Sequence, residues 1–470
     1  MGIVAYGAYV PYFRLERAAI AAALGVPSSK GTRAVASYDE DTTSMGVEAA
    51  RAIMRGGWPV VPDAVYFATA DPAYLDKTNA TAIHAALDLP SRAAAIDMLG
   101  AVRSGVGALR AALDASRPTL AVLSDVRTGL PAGGDERDGG DAAVALLCGR
   151  DGAVAEPIAW ASATTEFLER WRVPGARASQ QWEERFGEHA YLPLGQAAVT
   201  DALKQAGVTP ASINRLIVAG PHGRAAKRLA SSIGVSKDAI ADDLTDSLGN
   251  TGTAHAALLL ADALDRAKPE ELIMVVSLAD GADAMIVKTT AALATRRAAV
   301  PVATQVRAGG KVSYGTFLTW RGFLDREPPR RPDPERPAAP PSFRAEAWKF
   351  AFTGSRCQAC GARHLPPQRV CVKCHAIDRM APERLADVPA TIATFTVDRL
   401  AYSLSPPVVA AVIDFEGGGR FQCELTDVDP SAVKIGDRVE MTFRRLFTAD
   451  GVHNYFWKAK PIATESEVSA

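Results

Sequence analysis

Short apolar runs alternate with small-residue amphipathic stretches through the first three hundred residues. Gly2 to Tyr9 reads as a strand, and SMGVEAARAIMRG sets Val47, Ala50 and Ile53 on one helical face. Further strands are predicted at Ala64 to Ala68, Ala93 to Met98 and Thr119 to Leu123, with helices at Ala80 to Leu87 and Gly105 to Ala115. The turn-rich TGLPAGGDERDGGDA predicts a surface loop before the strand AAVALLCG. Such alternation implies layered α/β packing.

A second set of elements starts near Val154: the helix LGQAAVTDALKQA, the strand RLIVAG, the helices RAAKRLASSIG and TAHAALLLADALDRA, and the strand ELIMVVSLA. The element order repeats that of the first set, so two similar halves are expected, residues 1–153 and 154–320. The second half carries a charged aromatic segment from Glu166 to Pro193, with Trp171, Trp182, Arg172 and Arg185. It reads either as a surface insertion or as a cap over a substrate, and Trp and Arg also suit a partner interface.

Residues 327–341 read EPPRRPDPERPAAPP, seven prolines in fifteen residues, which predicts an extended linker within 321–345. A new module follows. Cys357-Gln-Ala-Cys360 and Cys371-Val-Lys-Cys374 can each present two thiolates from one turn, and together they complete a tetrahedral site, so residues 346–380 are read as a zinc ribbon. Iron is the alternative metal. Four sulfurs leave no open position, so the metal is expected to be structural, with His364 and His375 beside it as neighbours of the ligands or surface residues. Residues 381–465 hold five short strand patterns, TIATFTVDRL, PVVAAVIDFE, RFQCELTDV, DRVEMTFRRLF and NYFWKAKPI, which favour a small OB-fold barrel.

Charge narrows the function classes. Among 470 residues, 52 Lys and Arg against 53 Asp and Glu give a net charge of -1, so no global field attracts nucleic acid or an anionic membrane. Neither a basic-then-apolar leader nor a membrane-length apolar run is present, and the expectation is a cytoplasmic protein.

Two resemblances follow. The segments CQAC, CVKC, TIATFTV, PPVVAAVIDFEGG and IGDRVEMTF resemble the acyl-CoA-associated zinc-ribbon/OB-fold family. The segments GIVAYGAYVPYFRL, DEDTTSMGVEAA, SDVRTGLP with GGDAAVALL, GNTGTA and YGTFLTWRG resemble the 3-hydroxy-3-methylglutaryl-CoA synthase branch of the thiolase superfamily, especially its archaeal-type members. The implied fold is a duplicated, layered α/β thiolase-like body with a C-terminal zinc ribbon and small β-barrel. The resemblance also implies a coenzyme A thioester as substrate or ligand, a homodimer or higher hetero-oligomer, and another thiolase-superfamily protein as partner, since such ribbon/barrel modules accompany these enzymes.

Condensing synthases of that branch use a cysteine to hold the acyl group, a histidine and a glutamate. Here the resemblance puts Val102 at the cysteine position, Ala219 at the histidine position and Ala70 at the glutamate position. Valine forms no acyl-enzyme. The remaining candidates for chemistry are His222, His255, Asn250, Asp71 and Tyr314, each with a plain structural alternative as a cap, packing or turn residue. Cys148 and Cys423 are the two cysteines outside the ribbon, and Cys148 reads as a buried strand residue. Three functions are therefore expected in order: an acyl-CoA-handling subunit that supports a partner in carbon–carbon bond chemistry without its own cysteine; a retro-aldol lyase on a β-hydroxyacyl-CoA; and a condensing enzyme with a displaced active site.

Overall fold

The apolar runs of the N-terminal three hundred residues form nine strands of one sheet: β1 (Gly2–Tyr9), β2 (Ala64–Thr69), β3 (Ala94–Leu99), β4 (Thr119–Asp125), β5 (Ala142–Gly149), β6 (Ala155–Ala163), β7 (Arg215–Ala219), β8 (Leu272–Leu278) and β9 (Ala282–Thr289). The computed structural model describes residues 1–55 and 57–462. Every residue of β1, β4 and β5 is buried, which is why these segments read as continuous apolar runs and not as alternating ones.

The sheet order is β7-β8-β9-β6-β1-β5-β4-β2-β3. The order β6-β9-β8-β7 repeats β1-β5-β4-β2, and the two runs meet where Ile3 pairs with Ala155. The expected duplicated body is therefore present. Its helices include α1 (Thr42–Met54), α2 (Arg103–Asp114), α3 (Glu184–Ala206), α4 (Gly223–Ser232) and α5 (His255–Arg266). Helix α5 is buried on almost every face and packs on β1 and β5 of one half and on β7 and β8 of the other. Helix α2 packs on β2, β3, β4 and β5.

The charged aromatic segment resolves into two parts. Arg170–Trp171 and Gln180–Gln181 pair as a minimal hairpin, and from Glu184 the chain already belongs to α3, which carries Pro193 inside it. The pattern LGQAAVTDALKQA starts that helix only at Leu194, because the proline and the polar first turns hide the apolar face.

The chain divides into two compact units. The first comprises residues 1–36, 48–81 and 90–314, and the second residues 37–47, 82–89 and 315–470. Within the second, Thr353–Cys357, Arg363–His364 and Met380–Arg384 form a three-stranded sheet. A closed barrel follows, with β10 (Ala390–Asp398), β11 (Val408–Phe415), β12 (Arg420–Leu425), β13 (Arg438–Ala449) and β14 (Val452–Pro461) in the order β10-β11-β12-β14-β13. Burial alternates perfectly along β11, as a barrel wall requires. Trp348, Phe352, Phe421 and Phe456 stack into one aromatic cluster of this unit.

The proline-rich stretch is not extended throughout. Ala339–Arg344 is helical, with Pro340 and Pro341 in the first turn, where a missing N–H costs no hydrogen bond. Residues 463–465, the predicted end of the barrel, lie outside the described residues. Among the described residues no helix is long and apolar enough to cross a membrane.

Candidate functional site

Where the two halves of the body meet, the N-terminus of α2, the end of β7, the loop before α5 and the wall strands β8 and β9 enclose a cavity of about 30 Å³. Its lining includes Val102, Ala219, Gly220, Thr253, His255 and Trp160. The N-terminal end of a helix offers free N–H groups and a partial positive charge, a setting that stabilises a thiolate or an acyl oxygen. Val102 stands at that end of α2, with a side chain that does neither. The volume admits about two waters. Without side-chain movement, only the reacting end of a small acyl group finds room there.

The structure brings Val102, Ala219 and His255 to one cavity, and the other expected residues are not in its lining. His255 is almost fully buried. Burial pulls its imidazole down to about 4, against weaker support from Asp243, so the ring is neutral at pH 7. Its Nδ1 accepts from the Thr251 N–H at 3.3 Å. Asn250 braces the loop: its Nδ2 donates to the Gly220 carbonyl at 2.7 Å, and its Oδ1 accepts from the Gly252 N–H at 2.9 Å. Gly252 needs its left-handed backbone, φ +56°, and has the Asp125 carboxylate where a Cβ would stand.

His222, Asp71 and Tyr314 lie outside the cavity lining. His222 caps α4, accepting from the Ala225 N–H through Nδ1 at 3.1 Å, so its Nε2 donates to the Glu184 carbonyl at 2.8 Å. Asp71 pairs with Arg172 at 3.3 Å, and Arg172 also donates to the carbonyl of Ala70. Tyr314 donates to buried Glu136 at 3.0 Å. Burial raises the Glu136 carboxyl and the Tyr314 hydroxyl. Cys148, inside β5, and Cys423, in the barrel wall, are both pushed up to about 12 by burial, which leaves neither as a thiolate near neutral pH.

Two arrangements escaped the sequence reading. Asp125, fully buried at the end of β4, accepts from the N–H groups of Ala70 and Thr253, both at 2.8 Å. It thereby ties the Ala70 turn to the cavity loop. The signal was a carboxylate closing an apolar strand, SDVR, which reads in sequence as an ordinary strand end. Next to Val102, Arg103 reaches Asp283 at 2.9 Å and the Asp280 carbonyl at 2.8 Å, while Ser162 donates to the same Asp283 at 2.5 Å. Asp283 lines the cavity, so its charge is already neutralised.

In the second unit, the Sγ atoms of Cys357, Cys360, Cys371 and Cys374 lie within 4.8 Å of one another. The Cys357–Cys374 and Cys360–Cys371 pairs stand at 3.6 Å. Zn–S bonds of about 2.3 Å need tetrahedral edges of about 3.8 Å, so the four sulfurs fit the ion. The N–H groups of Lys373 and Cys374 point at Cys371 Sγ, each at 3.4 Å, and the Cys374 N–H contributes most to lowering that thiol to about 5. All four protein positions are sulfur, so the zinc is structural. His364 is buried beside Cys371, as expected of a neighbour and not a ligand.

Comparison with known proteins follows this division. Residues 350–377 match the ChsH2 rubredoxin-like zinc ribbon domain, residues 383–444 the ChsH2 C-terminal OB-fold domain, and residues 203–289 the C-terminal family of 3-oxoacyl-[acyl-carrier-protein] synthase III. The hydroxymethylglutaryl-CoA synthase of Aeropyrum pernix is 30% identical over 342 residues, which cover 69% of this chain and 94% of that protein. Among solved structures, PksG of Bacillus subtilis, a HMG-CoA synthase, superposes with a TM-score of 0.59 at 17% identity over 68% of this chain and 88% of its own. β-Ketoacyl-[acyl carrier protein] synthase III of Thermus thermophilus gives 0.55 at 23% identity over 62% and 99%. These two likenesses show the fold of the body.

Proposed function

Because this chain belongs to the hydroxymethylglutaryl-CoA synthase family, we propose that it is an acyl-CoA-handling subunit of the thiolase fold that holds a coenzyme A thioester without taking over its acyl group. The family's relatives carry a coenzyme A thioester in their name, and this chain keeps the cavity in which such chemistry would take place. One observation carries the reading: Val102 occupies the N-terminus of α2 and faces the same cavity as Ala219. Cys148 and Cys423 are buried and held as thiols, which counts against a displaced nucleophile. A bound thioester would meet the positive end of the α2 dipole as a carbonyl-polarising pole, with nothing there to attack it.

We infer further that the chain supports a cytoplasmic partner, another thiolase-superfamily protein, which performs the carbon–carbon bond chemistry. The retro-aldol alternative needs an acid and a base in the cavity. His255 is neutral with Nδ1 occupied, and Asp283 is bound by Arg103 and Ser162, so the lining favours the supporting role.

The test has two arms. Acetyl-CoA titrated into the purified protein is expected to bind, with the intact protein mass unchanged after incubation. Affinity purification from lysate of the source cell, at low salt and without chelator, is expected to recover a second thiolase-like chain in stoichiometric amount. An acetylated protein would return the chain to the condensing enzymes. Turnover of a β-hydroxyacyl-CoA by the isolated homo-oligomer would make it a lyase.

A further inference from the structure

Residues 37–47, the start of the DEDTTSMGVEAA motif, belong to the second unit and not to the body that surrounds them in sequence. The acidic turn Ser37–Asp41 is buried there against β13 and β14. Lys458 donates to Asp39 at 2.9 Å and to Glu424 at 2.8 Å, and its ammonium lies 5.0 Å from the centre of the Tyr38 ring. Arg444 meets Glu40 at 2.6 Å, Asp39 at 3.6 Å and, on its other side, Asp427. Tyr455 donates to Asp41 at 2.7 Å, and the Arg445 N–H donates to the Asp39 carbonyl at 2.8 Å. Within the turn, the Ser37 N–H donates to Glu40 at 2.8 Å and its hydroxyl to Asp39.

The turn adds carboxylates to the charges of the barrel. Arg444 and Lys458 are both buried, and from the barrel itself Asp427 meets the first and a half-exposed Glu424 the second. Asp39 and Glu40 supply partners from more than 400 residues away, and a buried cation that loses a partner is strongly destabilised. Burial by itself would raise the Asp39 carboxyl, but Lys458 and Arg444 bring it down to about 2. The recognition also reads backbone, through the Arg445 bonds to the carbonyls of Asp39 and Tyr38.

We propose that the Arg444/Arg445/Lys458 end of the barrel is a binding site for an acidic peptide turn, filled here in cis by Ser37–Asp41, and that this site keys the ribbon/barrel module to synthase-like bodies carrying such a turn. A module of this kind on a separate chain would take the same turn from its partner subunit. The site is independent of whether the body binds or converts an acyl-CoA.

The full chain tests this once a protease site is placed in the proline-rich stretch, between Pro332 and Pro337, so that the zinc-loaded protein can be cut after folding. The cut wild type is expected to stay together as a 1:1 complex on gel filtration. The cut D39N/E40Q and K458M variants are expected to bind at least roughly a hundredfold more weakly, the loss of a buried ion pair. R438A, which removes a surface ion pair with Glu416, is the control and should behave as wild type. A synthetic peptide of residues 36–47 covers the case in which those variants fail to fold: the acidic peptide is expected to displace the body fragment from cut wild type at least tenfold better than its Asp39→Asn, Glu40→Gln form. Fragments that separate on cutting the wild type, variants that hold as tightly as R438A, or two peptides that act alike would each overturn the proposal.

Discussion

Asp125 and Thr253 are joined by two hydrogen bonds, from the Thr253 N–H at 2.8 Å and from its hydroxyl at 2.9 Å, both to the same carboxylate oxygen. The other oxygen accepts from the Ala70 N–H and the Thr69 hydroxyl. One buried carboxylate therefore holds both the Ala70 turn and the loop that shapes the cavity. The cavity loop and the Ala70 turn are thus fixed to one another through a single buried group.

Replacing Asp125 with alanine leaves two buried N–H groups and two hydroxyls without an acceptor. The expected loss is about 3–5 kcal/mol of stability, since a carboxylate with several buried donors is worth more than one neutral hydrogen bond. Asp125→Asn keeps one acceptor and should cost less. Urea denaturation followed by near-ultraviolet circular dichroism reads both, and an Asp125→Ala protein as stable as wild type would refute the bracing role.

His255 makes stability depend on pH in a defined direction. Burial lowers its folded-state pKa from 6.5 to about 4, so the folded protein disfavours the charged ring. The contribution of the neutral ring is complete above pH 6.5 and is lost as the pH falls from there toward 4, by up to about 3 kcal/mol. His255→Gln is expected to flatten that part of the profile. Urea midpoints at pH 7.5, 5.5 and 4.5 give the comparison, and parallel profiles for the two proteins would rule His255 out as the titrating group.

The zinc ribbon has little apolar interior of its own, so the metal is expected to hold it. A strong chelator, or Cys357→Ser together with Cys360→Ser, should release one zinc per chain and open residues 350–384 to proteolysis while the body stays resistant. Metal analysis with limited proteolysis checks both halves of that outcome. Full metal retention with an unchanged cleavage pattern would mean the cysteines are dispensable.

Much of this architecture was legible in the residues, for identifiable reasons. Cys357, Cys360, Cys371 and Cys374 carry their geometry in their spacing, and buried strands such as AAVALLCG declare themselves by continuous apolar character. Val102 and Ala219 were placed by motif resemblance, and the structure sets both on one cavity. The ion-pair partners were not legible: nothing in sequence connects Asp39 to Lys458, or Arg103 to Asp283, because pairings over such separations are created by the topology alone. His222 was a candidate because it lies three residues after Ala219, and that place at the start of α4 makes it a helix cap.

The helix α2 N-terminus gives the sharpest remaining prediction. Valine and cysteine are close in volume, so Val102→Cys should fold without repacking the cavity. The new thiol would stand where the positive end of the helix dipole favours a thiolate. Incubated with acetyl-CoA, Val102→Cys is expected to gain the mass of one acetyl group at least tenfold faster than wild type, with the modification mapping to residue 102. Adding Ala219→His should raise the rate again, since an imidazole in the same cavity lining can take the thiol proton. If Val102→Cys binds acetyl-CoA as tightly as wild type and stays unmodified, the thioester does not lie at this pole of α2. The absence of cysteine would then explain nothing about the reaction, and the cavity could no longer carry the proposed function.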